Sequence, residues 1–167
     1  LNVAVQLIYK AWNRYPRAVA EGLLAHVRAG RILFDGADDI LASAGFRLED
    51  DDLLLLALTE TPCLDGLAEA AASVLGPKAV SHMIDVLFDT ATRLRCADGK
   101  YDKAVSERYN CIESRIAHVP GAVLVAAVQV HSADADNEQM ARLAELLSRH
   151  PDDGTDHSRP YDAESLT

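Results

Sequence analysis

Alanine and leucine constrain this chain more than any other feature: there are 27 Ala and 22 Leu among 167 residues, while aromatics make up only 5%. Both residues keep most of their freedom in a helix, and the β-branched and aromatic residues that favour strands are comparatively sparse. An all-α fold is therefore expected, and a chain of this length buries one substantial core. The longest apolar runs, Leu53 to Leu58 and Ala122 to Val128, fall far short of the roughly 20 residues a bilayer-spanning helix requires. Direct membrane insertion through a helix is not expected.

Charge narrows the partners. Sixteen Lys+Arg against 26 Asp+Glu give a formal charge of −10. Nucleic acid and anionic membrane are poor primary partners for such a chain, because both require a basic face. The segment 151–167 carries Asp152, Asp153, Asp156, Asp162 and Glu164 against Arg159 and has few apolar residues, so a disordered acidic tail is expected there. No basic region precedes the apolar residues of Leu1 to Lys10, and no secretory signal is expected. The opening Leu1, where a full chain has Met, fits an alternative start, a trimmed chain or a fragment. Cys63, Cys96 and Cys111 are odd in number and lack CxxC spacing, which suggests free thiols in a reducing, cytoplasmic compartment.

Apolar periodicity and clear breakers divide the body into a series of helical segments. The first runs from about Val3 to Asn13 and the second from Arg17 to about Ala29, ending at Gly30. A third covers about Asp38 to Ala44 and stops at Gly45, and the acids Glu49 to Asp52 suit the start of a fourth through Leu58. Leu64 to Leu75 closes at Gly76, after which Pro77 opens the longest helix, reaching about Cys96. Asp102 to His118, a segment after Pro120 and Gly121, and Asn137 to Arg149 complete the series. Valines at 123, 125, 128 and 130 give the segment after Gly121 some strand character, but its alanines and all-helical surroundings favour helix. Asp136 with Gln139 forms a capping-box pattern, followed by Met140, Leu143, Leu146 and Leu147 as the inward stripe.

Two constellations could carry metal chemistry. Ala97-Asp98-Gly99-Lys100-Tyr101-Asp102 places two carboxylates on a glycine turn, and hard cations such as Ca²⁺ or Mg²⁺ take oxygen ligands of this kind. The plainer reading has Asp98 ordering the turn and Asp102 capping the next helix. On the long helix, His82, Asp85 and Asp89 share one side, a weaker metal face whose plain reading is a solvated stripe opposite Met83, Ile84, Leu87, Phe88, Ala91 and Leu94. The segment Ser132 to Glu138 could form a third acidic turn, although capping by Asp136 explains most of it. Walker, GxGxxG, GxSxG, HExxH and Glu-x-x-His patterns are all absent, and no enzymatic activity is expected.

The Ala97-Asp98-Gly99 turn and the helices flanking it resemble the second half of the tellurite-resistance TerB-like helical domain. The resemblance rests on Leu53 to Leu58, Leu64 to Leu75, Asp85, Phe88 and Ala91, the turn itself, and Tyr109, Ile112 and Ile116. An upstream echo, Arg28-Ala29-Gly30-Arg31-Ile32, extends it to about residues 15–119. It implies a compact multi-helix domain of two weakly similar halves over 1–119, with 120–150 as a C-terminal helical extension on the same core. It also implies a non-enzymatic stress-response protein, with Asp98 carried over as a candidate ligand. Asp102 and Glu107 are the further candidates, although Val105 stands where the family has its early Glu. With Val105, Tyr109, Ile112 and Ile116 inward, Glu107 falls on the outer side of its helix. The competing expectation is a metal-free scaffold that acts through a protein partner or as a homodimer.

Overall fold

The computed structural model describes residues 3–29, 31, 37–61, 66–96, 99, 100 and 102–151, apart from the side chains at 27, 37, 38, 39, 42 and 96. The expected tail, Asp98, and Gly30 and Ile32 of the upstream echo lie outside the described residues. Those that are described form nine helices and no strand: α1 (Val3–Arg14), α2 (Pro16–Arg28), α3 (Ala37–Arg47), α4 (Asp51–Glu60), α5 (Leu67–Leu75), α6 (Pro77–Cys96), α7 (Lys103–Ile116), α8 (Gly121–Ser132) and α9 (Asn137–Arg149). The chain is an all-α domain, and none of these helices is long and apolar enough to cross a membrane.

Local chemistry accounts for most of the boundaries. Carboxylates of Asp50, Asp102 and Asp136 accept from the amides of Leu53, Val105 and Gln139 at 3.0, 3.2 and 2.8 Å, satisfying donors that each new helix leaves open. Gln139 reciprocates, accepting from the Asp136 amide at 3.0 Å. The valine-rich segment after Gly121 is helical and buries Leu124, Ala127 and Val128.

Gly45 is where a local signal misleads. It looks like the end of α3, yet the helix continues to Arg47 and the glycine packs inside it. A Cβ at position 45 would lie 2.6 Å from the Leu54 Cβ and 2.7 Å from its Cα, so the glycine permits α3 and α4 to touch backbone to backbone. The true stop lies beyond it, where Glu49 sits in the left-handed region at φ 50°. There the Asp50 amide bonds the Gly45 carbonyl at 3.0 Å and the Glu49 amide bonds that of Phe46 at 3.3 Å, a Schellman closure with glutamate at the usual glycine position. Asp50 thus ends one helix and caps the next.

Two apolar clusters result. The larger extends from α4 to α9 around α6, whose Val80, Met83, Ile84 and Leu87 are fully enclosed; Leu58, Ile112, Ile116, Leu124, Leu143 and Leu146 pack about them. The smaller joins Trp12, Ala20, Leu23, Leu24, Ile40, Leu41 and Ala44 to Leu53 of α4. Helix α4 serves both, with Leu53 turned to one cluster and Leu54, Leu55 and Leu58 to the other. On α9, Leu143 and Leu146 are buried, but Met140 is 43% exposed, because α9 meets the body only along part of the expected stripe.

Candidate functional site

Asp102 and Glu107 are held by roles within α7. Gly99 adopts φ 72°, a conformation that glycine takes freely. Asp102 caps α7, and Glu107, on the outer side of that helix, is exposed and pairs with Lys103 at 3.6 Å. The third acidic segment is likewise taken up by the Asp136 capping box.

The stripe on α6 is divided by its neighbours. Asp89 is exposed and pairs with Arg93 at 2.9 Å, and Asp85 meets His131 of α8 at 3.6 Å. His82 turns the other way, half-buried between α4 and α7. Its Nε2 is buried without a hydrogen-bond partner among the described residues. Burial pushes the imidazole pKa down, against the raising influence of Asp85 and Glu60. No group of three or more His, Cys, Asp or Glu among the described residues is arranged to hold a metal ion.

A polar cluster that the sequence reading missed lies beside His82, at the C-terminal end of α4. The Arg115 guanidinium is buried and donates to the carbonyl of Leu58 and, at 3.2 Å, to the hydroxyl of Thr61. Thr61 donates in turn to the Ala57 carbonyl at 2.6 Å. About two turns away on α7, Arg108 pairs with Glu60 at 2.9 Å. Two cations thus face the end of α4 where carbonyls are left without helical partners, which is the favourable end of its dipole for positive charge. Desolvation pulls the Arg115 pKa down to about 10, still well above neutrality, so it remains a cation. The sequence signal was partial: Arg108, Ile112 and Arg115 recur at helical spacing along one side of α7, which groups them without showing what they face. The cluster holds α4 and α7 together.

Cysteine chemistry departs from expectation. Cys111 is disulfide-bonded. The free-thiol argument for a reducing compartment therefore fails at this residue. Cavities are small. One of about 230 Å³ opens between α7 and α9, beside Glu113, Leu146 and Arg149, and one of about 60 Å³ lies between α6 and α9 beside Arg95, Glu138 and Arg142. Both fall below the roughly 300–1,000 Å³ typical of small-molecule sites. In the second, Glu138 already bridges Arg95 and Arg142, and Arg142 also donates to the Tyr109 hydroxyl at 2.8 Å.

The arrangement defines an all-α domain whose buried polar groups serve helix packing. Compared with protein-family models, curated proteins and solved structures, the chain matches none.

Proposed function

We propose that this chain is a non-enzymatic interaction module that acts through exposed helix faces. The observation that carries the reading is where large apolar side chains meet solvent. Val3 and Leu7 of α1 are 70% and 59% exposed, and Val130 of α8 is 68% exposed, on helices whose opposite sides are packed. The polar clusters, by contrast, are spent on capping and helix pairing. The resemblance at Ala97-Asp98-Gly99 would place such a module in a stress response of the tellurite-resistance kind.

A photoreactive amino acid at position 7 or 130, introduced into the protein in its own cells, should yield a discrete crosslinked partner from at least one position. Absence of any adduct from both would retire the reading.

A second reading retains a divalent cation at Asp98 and Asp102. It is favoured by the left-handed conformation of Gly99, three residues before the exposed Asp102. Chelator-treated protein should then unfold at higher temperature with Ca²⁺ or Mg²⁺ restored, and Asp98→Asn should abolish the shift. A ligand at 100 times its dissociation constant adds about 2.7 kcal/mol, so the effect would be plain. The interaction reading expects no shift in either protein.

A further inference from the structure

We infer that the outward face of α1 is a docking surface for an acidic amphipathic helix of another protein; this rests on the interaction reading and names the partner's chemistry. Trp12 is buried, and Val5 and Ile8 on the same side are half-buried. At about 100° per residue, Val3, Leu7, Lys10 and Arg14 fall together on the opposite side, and all four are exposed. Their intervals of four, three and four residues are those of a coiled-coil seam, with two aliphatic positions followed by two basic ones.

Charge selects the occupant. Arg17, Lys78, Arg93, Arg95, Lys103, Arg108, Arg142 and Arg149 all pair with carboxylates, whereas neither Lys10 nor Arg14 has an ion-pair partner among the described residues. The stretch 3–28 carries four cations and one acid, leaving twelve cations against 25 acids elsewhere. Arg28, Arg31, Arg47 and Lys100 also form no ion pair among the described residues, but Lys10 and Arg14 stand in line with two exposed aliphatic residues of their own helix, Val3 and Leu7. A second copy fits poorly, since parallel pairing of α1 with α1 would set Lys10 and Arg14 against their own equivalents and antiparallel pairing would set them against Leu7 and Val3, and neither supplies a carboxylate. An anionic bilayer fits poorly too. Two aliphatic side chains bury little area in it, and the strongly acidic remainder of the chain would be repelled by its surface. A helix presenting aliphatic residues to Val3 and Leu7, and Glu or Asp to Lys10 and Arg14, satisfies both halves of the seam.

The test uses the full chain and a fluorescent, stapled helical peptide of about three heptads, with leucine at the first seam positions and glutamate at the rest. Its control is the same peptide with lysine for glutamate. Fluorescence anisotropy should show the glutamate peptide binding about tenfold more tightly than the lysine peptide, a difference of about 1.4 kcal/mol. Leu7→Ser should weaken binding several-fold, and Lys10→Glu with Arg14→Glu should reverse the preference between peptides. Because the wild-type comparison needs no variant, a folding defect in either variant leaves the test intact. The inference is overturned if neither peptide binds, or if the two bind alike. Saturable binding to phosphatidylserine vesicles in place of peptide, or Leu7-dependent self-association on sedimentation, would also overturn it. An adduct from position 7 or 130 without charge selection would sink the partner's chemistry and leave the interaction reading standing. No adduct at all would end both.

Discussion

The two apolar clusters are built from similar residues and differ in how they are enclosed. Around α6, helices close in from several directions, and long side chains such as Met83, Ile84 and Leu87 lose all contact with solvent. In the smaller cluster α1 packs chiefly on α2, with Arg47 of α3 stacked over the Trp12 ring at 5.0 Å. One side of α1 is consequently left open, and Val3 and Leu7 remain in water. Apolar content alone does not make a helix internal; the number of neighbours does. Elements with few buried contacts open at lower free energy than the core, so α1 should be the least protected of the two regions in hydrogen exchange.

The largest expected effect comes from the common core. Leu58→Ala removes a fully enclosed side chain beneath the Arg115 contact and should lower stability by about 3–5 kcal/mol in chemical denaturation, with protection lost from α1 and α6 alike. If α1 kept its protection, the smaller cluster would be an independent unit. Next comes the junction. Gly45→Ala forces a methyl into the backbone of Leu54 and should cost about 2–3 kcal/mol, with faster exchange in α1 to α3 than in α6. Equal acceleration everywhere would mean that the clusters behave as one.

Glu49→Gly should act in the opposite direction. Relief of the left-handed strain at φ 50° should raise stability by up to about 1 kcal/mol, measurable as a higher denaturation midpoint, while Glu49→Ala should not. The smallest effect is the pH response of His82. Its pKa is lowered in the fold, so the unfolded chain binds more protons as pH falls through the ordinary histidine value of 6.5. This residue's contribution is complete above that value and is lost on acidification below it. His82→Gln should flatten that part of the stability profile; an unchanged slope between pH 7 and the lower folded pKa would show that the imidazole is not desolvated. Asp50 acts in a separate window. Its hydrogen bond with Arg17, 2.8 Å long, holds the carboxyl below its usual range, and that stabilisation is lost only on further acidification below about 3.8.

Much of this architecture was legible along the chain. Alanine and leucine fixed the helical class, Pro77 and Gly76 marked a junction, and Asp50, Asp102 and Asp136 announced three helix starts, because capping is decided by residues within one turn of each other. The apolar side of α6 was legible for the same reason: its period is a property of one helix. The candidate site was less so. Spacing could put His82, Asp85 and Asp89 on one side of α6, but could not reveal that α4 and α7 would take up His82 while His131 met Asp85.

Sequence alone determined which segments are helices and where most of them begin, since those outcomes depend on propensity and short-range hydrogen bonds. Only the tertiary structure decided that Gly45 is a packing contact, that Arg115 is a buried cation on the end of α4, and that one side of α1 remains uncovered. Each of these depends on which residue from a distant part of the chain arrives within a few ångströms, or on none arriving, and no local pattern encodes that.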